Sequence, residues 1–293
     1  MNPSKPLEIA TNELQQAYKW CEDFARSNNE NFTVVSWLLP KELRSHFFSV
    51  YAFCRYTDDL GDEAEGDRKA LLNAWEKEIL SAIEAESSRP LTKALIQTIN
   101  ECAIPVELFL RLIEANRMDQ HKQRFTDYEE LLNYCSYSAN PVGQMVLGIL
   151  GHHDTERIEL SDATCTGLQL ANFWQDVSVD ITKGRIYIPL EDLEQFGVTE
   201  TDIHKKNVTH SYRDLMEFEV NRTRGWFQKG AALERMLSGN IRTDIRLFRQ
   251  GGEAILDAIQ NVQYDTLSSR PTIKNGRKAK LAVTNVIRGL LHL

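Results

Sequence analysis

The chain has 293 residues, 42% of them hydrophobic and 26% charged, with a net charge of −8. That composition suits a globular protein with a sizeable core, and the negative charge argues against a nucleic-acid partner. Only 15 glycines and 8 prolines punctuate it, which favours long helices over a turn-rich sheet.

The N-terminus MNPSKPLEIATNELQQ has no apolar signal core, and no run reaches the roughly 18 apolar residues of a membrane span. A cytoplasmic protein is expected. Leu14, Ala17, Tyr18, Cys21, Phe24 and Ala25 recur at three and four residues, so a helix is predicted over about 11–27. Pro40 suits the first turn of a long helix running to about Gly61–Gly66. A helix over about 67–86 follows, then shorter ones over 91–101 and 106–121. Asp127 should cap the next, which carries Tyr134 and meets Pro141. Ser161 or Asp162 is the expected start of a helix that ends at Gly184. Arg185-Ile186-Tyr187-Ile188-Pro189 is the one extended stretch. Thr209 or Ser211 should cap a helix to about 237, with further helices over 240–264 and 277–291. No repeat, low-complexity tract or linker divides the chain, so residues 1–293 read as one all-α domain. Cys21, Cys54, Cys102, Cys135 and Cys165 are far apart and form no C-x-x-C, as reduced core thiols would be.

Two of these helices carry unusual polar stripes. Tyr51, Arg55, Asp58 and Asp62 fall within about 60° of one another on a helix of about 100° per residue. Phe47, Val50, Phe53 and Cys54 flank them, which places charge near a buried face. Gln169, Asn172, Asp176 and Asp180 fall within about 80°, beside Leu168, Leu170, Phe173 and Trp174. A lone D-x-x-x-D is usually a solvated helix end. Two of them, each continuing an Arg or amide stripe beside aromatics, point to a bound cation. Oxygen donors without His or Cys indicate a hard ion such as Mg²⁺, shared with substrate phosphates.

These residues resemble the head-to-head prenyl synthases, the squalene, dehydrosqualene and phytoene synthases. The matching pieces run in order: Asn31-Phe32 with Leu38-Leu39-Pro40, Tyr51-Ala-Phe-Cys-Arg55 with Asp58-Asp59-x-x-Asp62, and Tyr134-Cys135 with Pro141-Val142-Gly143. The last are Gln169-x-x-Asn172-x-x-x-Asp176-x-x-x-Asp180 and Gly184-Arg185-Ile186-Tyr187-Ile188-Pro189. The resemblance implies an isoprenoid synthase helical bundle around a central apolar cavity, with the two aspartate helices facing at its mouth. It implies farnesyl-type diphosphate substrates and Mg²⁺ held by Asp58, Asp62, Asn172, Asp176 and Asp180. Gln169 would line the same pocket, Arg55 would contact the diphosphate, Tyr51 and Tyr134 would sit near the reacting carbons, and Phe32 would border the cation.

Two departures sharpen this. Relatives commonly carry Arg where this chain has Gln175, and often Ala-Gly-Thr-Val-Gly where it has Ala139-Asn140-Pro141-Val142-Gly143. Both resemble the bacterial hopanoid-pathway branch, hydroxysqualene synthase, which ionises presqualene diphosphate and adds water. Losing a positive charge at position 175 fits one diphosphate rather than two. The alternatives are condensation to presqualene diphosphate, dehydrosqualene or phytoene, and a non-catalytic helical assembly protein. His152-His153-Asp154 reads as a surface turn, and Tyr137 as packing. Arg222, Arg224, Arg242, Arg246 and Arg249 read as solvated or structural ion pairs. Arg270 is a further candidate for the diphosphate mouth. The basic, amphipathic tail from Arg277 could touch anionic lipid at the inner face of a membrane, although a packed final helix fits it better. The sequence leaves the oligomeric state open.

Overall fold

A computed structural model describes residues 5–28, 40–85 and 89–273. Asn31, Phe32, Leu38, Leu39 and the helix expected over 277–291 lie outside these. Every regular element among the described residues is helical and none is a strand. No helix among them is long and apolar enough to cross a membrane.

Helix α1 spans Lys5–Asn28. Pro40 precedes a 3₁₀ turn, Lys41–Leu43, that leads into α2, Arg44–Asp62. Asp67 caps α3, Arg68–Glu84, by accepting from Ala70 N. Pro90 opens α4, Pro90–Glu101, at the position where its missing N–H is harmless. Then come α5, Val106–Met118, and α6, Tyr128–Ser138, the latter capped by Asp127 as expected.

The sequence reading missed α7, Asn140–Ile149, because Pro141 read as a stop. It stands instead in the first turn, where proline is tolerated. Helix α8, Thr155–Asp180, begins earlier than Ser161 or Asp162. Asp154, the end of the His152-His153-Asp154 turn, caps it by accepting from Arg157 N at 3.1 Å. A 3₁₀ turn, Ile181–Lys183, ends at Gly184, whose φ of 76° closes it. The extended stretch after it belongs to no sheet. Ile186 N donates to Gln123 O at 3.0 Å and Leu190 N to Phe125 O at 2.9 Å.

Two short helices, α9 (Leu190–Gln195) and α10 (Glu200–His204), also went unforeseen. Thr209 caps α11, His210–Gly230; α12 (Leu233–Met236) and α13 (Gly239–Asn261) follow. The arginines of this region are structural. Arg222 joins buried Glu219 and Asp192, Arg224 pairs with Asp257, and Arg246 and Arg249 share Glu234.

The backbone forms two compact units. One takes in the described residues up to His121 together with Gln144–His153; the other takes in Lys122–Gly143 and the described residues from Asp154 on. In the first, α2 packs against α1, α3, α4 and α5; in the second, α8 packs against α6, α11, α12 and α13. Each aspartate helix is thus the central helix of its own unit. That explains why neither shows the single apolar face of a surface helix. All five cysteines are free. Burial pushes the Cys21, Cys135 and Cys165 thiols up to about 12, so they stay protonated and inert.

Candidate active site

In the first unit, Asp58 and Asp62 occupy the last turns of α2 with their surfaces open, and Tyr51 and Arg55 are half-buried on the same helix. Asn116 of α5 donates from Nδ2 to Asp58 Oδ1 at 3.3 Å. It reaches that oxygen across Gly61, where a Cβ would lie 2.2 Å from Asn116 Oδ1. Gln120 ties the same point down, donating to Gly61 O at 2.9 Å. Although a probe can touch Asp58, it sits in a recess. Burial there pushes its carboxyl up to about 6; the Asn116 hydrogen bond opposes the rise and the Asp62 charge adds to it. Arg55 turns away from this stripe. Its guanidinium pairs with Asp59 at 2.5 Å and with Glu63 at 3.2 Å. Asp59, Glu63 and Asn116 are therefore parts of the site that spacing did not single out.

In the second unit, α8 presents Gln169, Asn172, Asp176 and Asp180. Gln169, Asp176 and Asp180 are half-buried and Asn172 is exposed. Arg270, 94 residues further on, lies against Asp176: Nε donates to Oδ1, and Nη2 to Oδ2 at 3.2 Å. Gln175, only 4% exposed, accepts from Arg270 Nη2 at 3.0 Å and donates to Pro271 O at 2.6 Å. Position 175 itself thus carries no charge, and the guanidinium beside Asp176 is that of Arg270. Tyr134, 4% exposed, lies in an aromatic group with Phe125 at 5.5 Å and with Phe173 and Tyr187 at 6.1 Å each. Phe173 and Tyr187 stack at 3.9 Å. Tyr187 comes from the extended stretch after Gly184, which explains why that stretch is held by backbone bonds to 123–126.

Among the described residues, no group of three or more His, Cys, Asp or Glu is close enough to hold an ion alone. Magnesium takes one or two carboxylates and completes its shell with water and phosphate, so it requires no such group. The donors at both helices are oxygens, and among the described residues Asp58 has the Asn116 amide but no cation in hydrogen-bond reach, a fit to a hard cation.

Comparison with known proteins decides the family. The squalene/phytoene synthase model matches residues 25–277. The chain belongs to that family. This squalene/phytoene synthase family member is 29% identical to the 15-cis-phytoene synthase of Synechococcus elongatus, over 95% of this chain and 94% of that one. Its fold matches squalene synthase HpnC from Alicyclobacillus acidocaldarius with a TM-score of 0.84 and 50% identity, covering 86% of this chain and 96% of that one. A dehydrosqualene synthase structure matches at a TM-score of 0.85 and 23% identity over 95% and 98%, which speaks for the fold. The protein is all-α and an enzyme of the prenyl-transferase kind in isoprenoid biosynthesis.

Proposed function

We propose that the enzyme ionises presqualene diphosphate with Mg²⁺ and captures the rearranged carbocation with water, giving hydroxysqualene and pyrophosphate. The observation that carries this reading is Gln175. It is neutral and buried, and both ends of its amide are engaged, so it offers no charge to a second diphosphate. The likeness to a squalene synthase at 50% identity supports a squalene-type carbon skeleton.

On this reading Asp58 and Asp62, and likewise Asn172, Asp176 and Asp180, would hold magnesium. The metal, when bound, neutralises charge on the leaving diphosphate as the carbon–oxygen bond ionises. The electron pair of that bond leaves with the diphosphate. Forked donors of Arg270, and of Arg55 once it parts from Asp59, suit diphosphate oxygens. The faces of Tyr134, Phe173 and Tyr187 carry the negative quadrupole that favours a nearby cation. Tyr51 and Tyr134 hydroxyls would assist departure of the diphosphate. Phe32 and Gln169 would line the substrate.

The curated phytoene synthases favour a second reading, condensation of two prenyl diphosphates. Purified protein with Mg²⁺ separates the two. Presqualene diphosphate should be converted to an alcohol without reduced nicotinamide, while farnesyl diphosphate alone is consumed at least tenfold more slowly. Equal consumption of both would establish the condensing enzyme. Asp58→Ala should abolish turnover while leaving the helical circular dichroism intact; an assembly protein would show no turnover to lose.

A further inference from the structure

Gln175 does two jobs that no other side chain of its length combines. Its carbonyl accepts from Arg270 Nη2 at 3.0 Å and its amide nitrogen donates to Pro271 O at 2.6 Å. Arginine at this position has donors only, so it could hold Pro271 O but would repel the Arg270 guanidinium. Glutamate could accept from Arg270 but has nothing to give Pro271 O. Pro271 is buried, has no N–H and has a fixed φ, so fixing its carbonyl fixes the residue before it. The result is a guanidinium anchored at its root and laid across both oxygens of Asp176. The Arg270 side chain is 44% exposed and that of Asp176 is 16% exposed, so the arginine forms the outer, solvent-side cover.

That placement has a chemical consequence. A divalent ion at Asp176 needs at least one of the oxygens that Arg270 now occupies. Each oxygen keeps a second lone pair, but a divalent ion and a guanidinium drawn onto the same two oxygens repel one another, so they compete for the carboxylate. We propose that Gln175 is a positioning residue whose amide holds Arg270 over Asp176 as a stand-in cation, so that guanidinium and metal exchange on one carboxylate. The arginine neutralises Asp176 in the empty enzyme. When the metal takes the carboxylate, the side chain swings off while its backbone stays tied through Pro271, and its donors become available to the anion that accompanies the metal. Metal loading is thereby made weak without an anion and strong with one. This rests on Asp176 being a magnesium ligand.

The test uses the full-length protein and manganese chloride, with free Mn²⁺ counted by electron paramagnetic resonance. Arg270→Met uncovers Asp176 and should tighten Mn²⁺ binding about three- to tenfold in the absence of any anion. With inorganic pyrophosphate present the order should reverse, the wild type binding the metal more tightly. Gln175→Met removes both amide bonds at similar volume and should move both affinities the same way by a smaller amount. In the double variant the effects should not add, because both substitutions break one contact. A purely structural role for Gln175 would lower the melting temperature and leave both Mn²⁺ affinities alone. Unchanged metal binding in R270M, with and without pyrophosphate, overturns the proposal even if Q175M does not fold. If the wild type and every variant fail to bind Mn²⁺ under both conditions, the magnesium reading itself falls.

Discussion

Asp244 of α13 is 5% exposed, and neither oxygen of its carboxylate has a hydrogen-bond partner among the described residues. Burial pushes its carboxyl up to about 7. An aspartate in the unfolded chain titrates near 3.9, so the native state keeps this proton after the unfolded chain has lost it. The sign follows from linkage. Below about pH 4 both states are protonated and nothing is lost. Between about 4 and 7 only the unfolded chain ionises, and the native state loses stability with rising pH. Above about 7 the loss levels off, at an order of 4 kcal/mol. Asp244→Asn removes the titration at nearly constant shape. It should stabilise the protein, by more at pH 8 than at pH 5, as measured by urea unfolding at the two pH values. A gain that does not change with pH would mean the native carboxyl is already ionised. Sequence periodicity cannot reveal such a residue, because a lone Asp on a helix is ordinarily solvated.

At the scale of elements, the end of α2 is shaped by α5. Gly61 leaves room for Asn116 to reach Asp58, and an added Cβ would sit 2.2 Å from Asn116 Oδ1. Gly61→Ala should therefore displace Asn116 and destabilise the protein by about 1–3 kcal/mol, as overpacking does. Removing the obstacle as well, in Gly61→Ala with Asn116→Ala, should recover much of that loss in a thermal-unfolding cycle. A double variant no more stable than the single one would rule out the clash as the cause. Helices with long apolar repeats and polar caps were legible in the sequence, Asp127 and Thr209 capping as read. The start of α8 was not, because Asp154 looked like the close of a turn rather than the cap that it is. Helices α9 and α10 are too short to show a period. Asn116 and the partners of Arg270, itself read as a candidate, were out of reach for another reason. Asn116 and Arg270 meet Asp58 and Gln175 across 58 and 95 positions, and one sequence carries no signal for such pairings. Gln175 was noticed as a missing charge, yet its hydrogen-bonding role depends on a partner that spacing could not supply.

For the whole molecule, the proposed magnesium site predicts that a cation bound at the aspartate helices would add to stability. The effect should appear in global stability, because a ligand that binds only the native state stabilises the entire fold. At one hundred times the dissociation constant the gain is about 2.7 kcal/mol. For a chain of this size that corresponds to a rise in melting temperature of roughly 4–5 °C. Magnesium chloride with inorganic pyrophosphate should produce such a rise in scanning calorimetry. Pyrophosphate with sodium chloride at matched ionic strength should not, since screening alone acts on all surface charges and gives no saturating dose response. Chelation should return the melting temperature to that of the untreated protein. Asp58→Asn and Asp176→Asn should each shrink the magnesium-dependent part while leaving the baseline melting temperature within a few degrees. A rise that survives both substitutions would place the cation elsewhere on the protein and detach it from the aspartate helices.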